Sequence, residues 1–207
     1  MNQVLVYADE LFNNIVEFKE KPQNYPSWDD FRNEIKWIFL RLETQAAKHK
    51  ISNFAFQEMK YALVAYIDEM VLTSDWVQRD EWSKETLQLE FFKEHNAGEG
   101  FFQHLSDLRQ GGEANLDLLE IYFICLQLGY KGKYQRLGEE KWQALQVDLK
   151  NQIDNYRGTV SFVLLPEVAN EPIFESSGKQ SIYNWGIIVA SILIFTSFYL
   201  AEHWSSL

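Results

Sequence analysis

The chain of 207 residues predicts an all-α protein, a helical body followed by one apolar C-terminal helix of membrane-spanning length. Three observations carry that prediction. Apolar residues recur at helical spacing along most of the chain. Only four prolines and ten glycines interrupt them, and no succession of alternating strands is present. Finally, residues 180–201 contain no Lys, Arg, Asp or Glu. At about 1.5 Å of rise per residue, an uncharged helix of that length covers roughly 33 Å, enough to cross a hydrocarbon core of about 30 Å.

A first helix is expected over Gln3–Glu20, after which Pro22 and Pro26 break the chain. Ser27, with Asp30 three positions on, is placed to cap a second helix reaching about Lys48, with an apolar stripe of Phe31, Ile35, Ile38 and Leu42. A third helix, Asn53–Leu72, ends in Thr73, Ser74 and Asp75. Further helices are expected over Ser83–Glu94, Gly100–Gln110, Leu116–Leu128 and Glu139–Tyr156, each bounded by Gly, Asn or Ser. Residues 1–157 thus form the helical domain. Residues 158–180, with Pro166, Pro172, Ser176, Ser177 and Gly178, read as a linker, 181–201 as the transmembrane helix and 202–207 as a short tail.

A buried core helix is the competing reading of the last apolar run. The span is favoured because Tyr183 and Trp185 at one end, and Tyr199 and Trp204 at the other, sit where interfacial aromatics anchor. Lys179 precedes the span, Glu202 follows it, and Met1–Phe12 lacks the basic and apolar regions of a leader. The body is therefore expected in the cytoplasm and the tail on the other side. The net charge is −11, and because Lys179 and Glu202 are the only such charges beyond residue 178, all of it belongs to the body. That charge repels nucleic acid and anionic headgroups. A single cysteine, Cys125, excludes an intramolecular disulfide and suits a reducing compartment.

Chemistry is not signalled, and no catalytic residue, metal or cofactor is expected. None of His49, His95, His104 or His203 follows a Glu by three positions, as carboxylate-bundle metal sites require; His95, Glu99 and His104 offer at most an incidental surface contact. The sequence has no HExxH, no GxxxxGK[ST] loop and no GxSxG elbow. Gly98-Glu99-Gly100 lacks the third glycine and the preceding strand of a dinucleotide fingerprint and reads as a helix-start turn. Cys125 lies within the apolar run Ile121–Leu128, where its thiol stays protonated.

Two stretches stand apart. Asp68 and Glu69 interrupt the apolar run Tyr61–Leu72, and consecutive helical residues point about 100° apart, so at least one carboxylate faces inward. It is either tied internally, to Lys131, Lys133 or Arg136, or it lines an acidic groove that receives a partner. The second stretch stops a helix at Gly129 and continues as Tyr130, Lys131, Gly132, Lys133 and Tyr134, a basic and aromatic loop suited to a protein contact. Within the apolar run, Gly186 and Ala190, then Ser197 and Ala201, repeat at four-residue spacing along one stripe and are candidates for self-association in the membrane.

The order Ala65–Leu72, Trp76, Trp82, Phe91-Phe92, Gly98–Phe102 with Leu105, Leu118–Tyr122 and Cys125–Tyr134 resembles the DotU/IcmH/TssL family, over roughly Phe54–Tyr156 and in overall plan. Tyr130 stands where Phe is usual, and Met70 where a small residue is common. The resemblance implies a cytoplasmic domain of two small packed helical bundles with a cleft between them. It also implies a bacterial inner-membrane anchor formed by one C-terminal helix, with the C-terminus in the periplasm. Family members are structural components of the type VI secretion membrane complex, beside an IcmF/TssM-like partner and receiving the cytoplasmic baseplate. Asp68, Glu69, Trp76 and Gly129 to Tyr134 are then the candidate partner contacts, with a homodimer or higher oligomer and the lipid bilayer as further partners. Two alternatives are a tail-anchored helical-bundle regulator binding an amphipathic helix of a client and a type IVB secretion stabilising factor. A hydrolase using Cys125 or Asp68 ranks last.

Overall fold

Side-chain caps fix where the helices of this chain begin. The computed structural model describes residues 3–158. It contains α1 (Gln3–Glu20), a 3-10 turn at Pro22–Asn24, α2 (Trp28–Lys48), α3 (Asn53–Leu72), α4 (Arg79–Lys84) and α5 (Leu87–Phe92). There follow α6 (Ala97–Gln110), a second 3-10 turn at Gly112–Asn115, α7 (Leu116–Gln127), α8 (Tyr134–Leu137) and α9 (Glu139–Arg157). No strand occurs among the described residues. Ser27, Ser52 and Thr86 each accept, through the side-chain oxygen, the N–H three residues ahead in α2, α3 and α5. Each bond satisfies a donor that a helix start otherwise leaves unpaired.

The apolar residues of α3 are distributed around the whole helix, which is the pattern of an element covered on all sides. Met59, Ala62, Leu63, Val64 and Ile67 are all fully buried. Its main neighbour is α7, whose Leu119, Ile121, Tyr122, Cys125 and Leu126 are equally enclosed. Around this pair, α1 and α6 touch both helices, α4 and α5 cover α3, α2 lies on α1, and α9 covers α7. The outer helices are amphipathic: α2 buries the predicted Phe31, Ile35, Ile38 and Leu42 together with Phe39. All these side chains join one contiguous cluster.

Two expected elements differ from the observed ones, each for a physical reason. The single helix expected over Ser83–Glu94 is two helices, because the N–H groups of Leu87 and Gln88 bond the Asp68 carboxylate instead of carbonyls one turn back. The helix expected from Gly100 begins at Ala97, so Gly98 and Gly100 lie inside it. Gly100 is needed there because a Cβ would sit 2.0 Å from the Tyr61 hydroxyl oxygen. The one-turn α8 had no counterpart in the sequence reading. Among the described residues, no helix is long and apolar enough to cross a membrane. The linker beyond Gly158, the apolar run 181–201 with Gly186, Ala190, Ser197 and Ala201, and the tail lie outside the described residues.

The Tyr66 hydroxyl is among the buried polar groups left without a hydrogen-bond partner among the described residues, while its ring packs 6.0 Å from that of Phe12. Tyr66→Phe keeps the ring and removes the unsatisfied group, so its thermal midpoint is expected to hold or rise by about 1–4 °C. A fall of about 4 °C or more in a melting curve would contradict this.

Candidate functional site

The acidic pair near the end of α3 points in two directions, as consecutive helical positions must. Asp68 turns toward the α4–α5 corner: Oδ1 accepts from the Trp82 indole N–H at 2.8 Å and the Leu87 N–H at 2.9 Å, and Oδ2 accepts from the Gln88 N–H at 2.8 Å. Beside it, the buried Arg32 guanidinium lies 5.5 Å from the Trp82 ring, pairs with Glu90 at 2.6 Å and donates to the Glu85 carbonyl. Glu69 turns toward the loop after α7, where its two oxygens accept from the N–H groups of Lys131 at 2.6 Å and Gly132 at 2.7 Å. Of the two sequence readings, the internal tie is the one observed, with a correction. The donors are backbone N–H groups, joined at Asp68 by the Trp82 indole, whereas the Lys131 ammonium pairs with Glu139 and the Arg136 guanidinium with Glu99. Burial raises the pKa of both carboxyl groups against the pull of these donors, and Asp68 is pushed up to about 6.

The loop that Glu69 grips is built by its glycines. Gly129 has φ of 106°, which lets the Tyr130 N–H return to the Cys125 carbonyl at 2.9 Å and close α7. Gly132, at φ of 47°, passes so close to α6 that a Cβ would lie 2.7 Å from the Gly98 carbonyl oxygen and 2.8 Å from the Phe102 ring. The Lys133 N–H bonds that same Gly98 carbonyl at 2.8 Å. Tyr130 is buried: its hydroxyl donates to the Ala97 carbonyl, its ring packs on Phe101, and its own carbonyl accepts from the Trp142 indole N–H. One short loop therefore joins α3, α6, α7 and α9.

Trp76 is also interior. It is 5% exposed, donates its indole N–H to the Tyr25 carbonyl at 2.8 Å, and packs edge-on against Phe18 and Phe31. It still forms part of the wall of an open cavity of about 520 Å³ at the C-terminal ends of α1 and α3, with Lys19, Met70, Asp75 and the almost fully exposed Val77. Among the candidate contacts, Asp68, Glu69, Trp76 and Tyr130 thus shape the body from within. Lys131, Lys133 and Tyr134 keep side chains at its surface.

A polar cluster escaped the sequence reading. The His104 Nδ1 lies 2.9 Å from Glu58, its ring stacks on Tyr61 at 4.0 Å, and the Tyr61 hydroxyl donates to Glu94. Glu58 stands 46 residues before His104, so only the packing of α3 on α6 brings them together. The incidental contacts among His95, Glu99 and His104 do not form; Glu99 pairs with Arg136. Among the described residues, no three His, Cys, Asp or Glu side chains gather in a way that could hold a metal.

These features define an all-helical domain in which a buried carboxylate, Asp68, and a half-buried one, Glu69, organise a corner between helices and a glycine-rich turn. The same fold occurs in the cytoplasmic domain of TssL from Acinetobacter baumannii, with 30% identity, a TM-score of 0.67, and coverage of 75% of this chain and 99% of that one. It occurs also in TssL from Vibrio cholerae, at 21% identity and a TM-score of 0.66, covering 75% of this chain and 97% of that one, a likeness of fold alone. The family profile described as type VI secretion system protein DotU matches residues 4–205, and the chain belongs to that family. No curated protein matches the chain.

Two outcomes follow from the ties. Asp68→Asn turns an amide toward N–H donors, so it is expected to cost about 2–4 kcal/mol in denaturant unfolding, with Glu69→Gln costing less because Glu69 is less buried. Unchanged unfolding in both would assign the pair to the surface. For His104, the hydrogen bond to Glu58 raises the imidazole pKa above its ordinary value. The resulting stabilisation is complete below the unfolded pKa of about 6.5 and is lost as pH rises through the folded value. Asp68 contributes a slope of the same sign below about 6. The measurement is therefore the difference in stability between wild type and His104→Gln, which should shrink as pH rises above about 6.5. A constant difference would show that the ion pair contributes nothing.

Proposed function

We propose that the protein is an inner-membrane structural adaptor of a type VI secretion system. Residues 1–157 lie in the cytoplasm, 181–201 cross the bilayer and 202–207 reach the periplasm. The body couples an IcmF/TssM-like membrane protein to the cytoplasmic baseplate. The observation that carries this reading is the family match, which continues to residue 205 and so includes the whole uncharged run. The likeness to a solved cytoplasmic domain of TssL supports the placement of the body.

The work of such a protein is binding, and the geometry suits it. Backbone donors locked onto Asp68 and Glu69 give the helical body a fixed outline, so little ordering remains to oppose association. The role is non-enzymatic. Cys125 is fully buried, its thiol pKa is raised by desolvation, and its sulfur faces the Ala62 carbonyl at 4.0 Å, a setting without access for a substrate. The stripe of Gly186, Ala190, Ser197 and Ala201 serves self-association of the spans as a dimer or higher oligomer.

The test is copurification from native membranes. The chain is expected to stay with the membrane fraction through an alkaline wash, to be released by detergent, and to bring an IcmF/TssM-like protein and a baseplate component with it. An epitope placed after Leu207 should resist protease added from the cytoplasmic side. Release without detergent as a monomer would overturn the reading.

A further inference from the structure

We infer that the groove between α6, α9 and the turn entering α8 receives an acidic, apolar-sided segment of a protein partner. The chain carries a net charge of −11, yet this cavity of about 520 Å³ is lined by Lys133 and Arg109 and by no Asp or Glu. Its floor is apolar, with Phe102 and Leu105 buried beneath it and Tyr134 and Leu145 on its walls. The volume suits a few side chains rather than a whole helix.

Lys133 gives the groove its sign. Its neighbours in the turn are occupied, Lys131 by Glu139 and Arg136 by Glu99. The Lys133 ammonium makes no ion pair among the described residues and rests 5.3 Å from the Phe102 ring centroid and 6.0 Å from that of Tyr134. Its backbone is pinned by the bond from its N–H to the Gly98 carbonyl, so the charge is held over the apolar floor. Arg109, which also lines the groove, is held by Asp148 and Gln152. A carboxylate beside a leucine- or phenylalanine-like side chain would satisfy the ammonium and cover the floor together. Nucleic acid offers anions too, but the charge of the whole body repels it.

The inference rests on the adaptor reading for the kind of partner, and its test is separable from that reading. The full chain in detergent micelles, carrying a photo-crosslinking residue in place of the exposed Ser106 at the groove rim, is titrated with a short amphipathic Leu/Glu helical peptide and with its Leu/Lys counterpart. Saturable crosslinking to the Leu/Glu peptide alone is expected. It should weaken at least about tenfold in Lys133→Glu, survive in Lys133→Arg and fall with added salt. Should Lys133→Glu melt below wild type, Gln110→Glu on the exposed rim adds a negative charge beside the groove without touching the turn and is expected to weaken the peptide in the same direction, by less. Equal capture of the Leu/Lys peptide, or no effect of either substitution, overturns the inference. In native membranes, a wild type that retains no secretion partner refutes the adaptor reading, whereas a wild type that retains one and a folded Lys133→Glu that retains it equally refute only the groove.

Discussion

Two adjacent carboxylates on one buried helix organise this fold. Asp68 and Glu69 project about 100° apart from α3, and between them they accept from the Trp82 indole and from the backbone N–H groups of Leu87, Gln88, Lys131 and Gly132. A buried carboxylate without partners would cost several kcal/mol, so each must be surrounded by donors. Backbone N–H groups meet that need with fixed geometry and no long side chain to order. The same bonds explain the break between α4 and α5, whose N–H groups are taken out of the helical ladder. They also explain why two loops distant in sequence converge on consecutive residues of α3.

How much of this was legible in the sequence follows from the range of each interaction. The bounds of α1, α2 and α3 were readable because prolines and Ser caps act within a few residues, and Ser27 with Asp30 behaves as its spacing indicates. The division of Ser83–Glu94 was not readable, since it depends on a carboxylate 19 and 20 positions earlier. An internal tie is one of the two readings that the sequence leaves open for Asp68 and Glu69, and it points to the side chains of the basic loop as donors, whereas Glu69 takes backbone N–H groups. Composition displays ammonium and guanidinium groups and hides the peptide N–H, which every residue carries and only conformation exposes. Gly98 and Gly100 likewise read as a helix-start turn, whereas Gly100 is inside α6 because of the close approach of Tyr61, a neighbour from another helix.

The basic and aromatic loop combines two jobs that a motif reading cannot separate. Tyr130 and the glycines are structural, being buried or sterically required, and they attach the loop to α6, α7 and α9. Lys131, Lys133 and Tyr134 stay near the surface, carried on that attachment. A substitution at Gly132 and one at Lys133 can therefore both impair binding for unrelated reasons, the first by displacing the loop from α6 and the second by changing what it presents.

That separation also decides which forces respond to salt. The ion pairs of the turn, Lys131 with Glu139 and Arg136 with Glu99, are largely exposed, with side-chain accessibilities of 38% and 52% in one and 79% and 66% in the other. Exposed pairs of this kind contribute about 0–1 kcal/mol and are screened. The position of the turn rests instead on the half-buried Glu69, the enclosed Tyr130 and the bond to the Gly98 carbonyl. Raising the ionic strength should then leave the groove in place while weakening whatever charge meets Lys133. In this protein the anchoring of the loop and the attraction it offers are governed by electrostatics in two different dielectric settings, and the second is the more open to the surrounding solution.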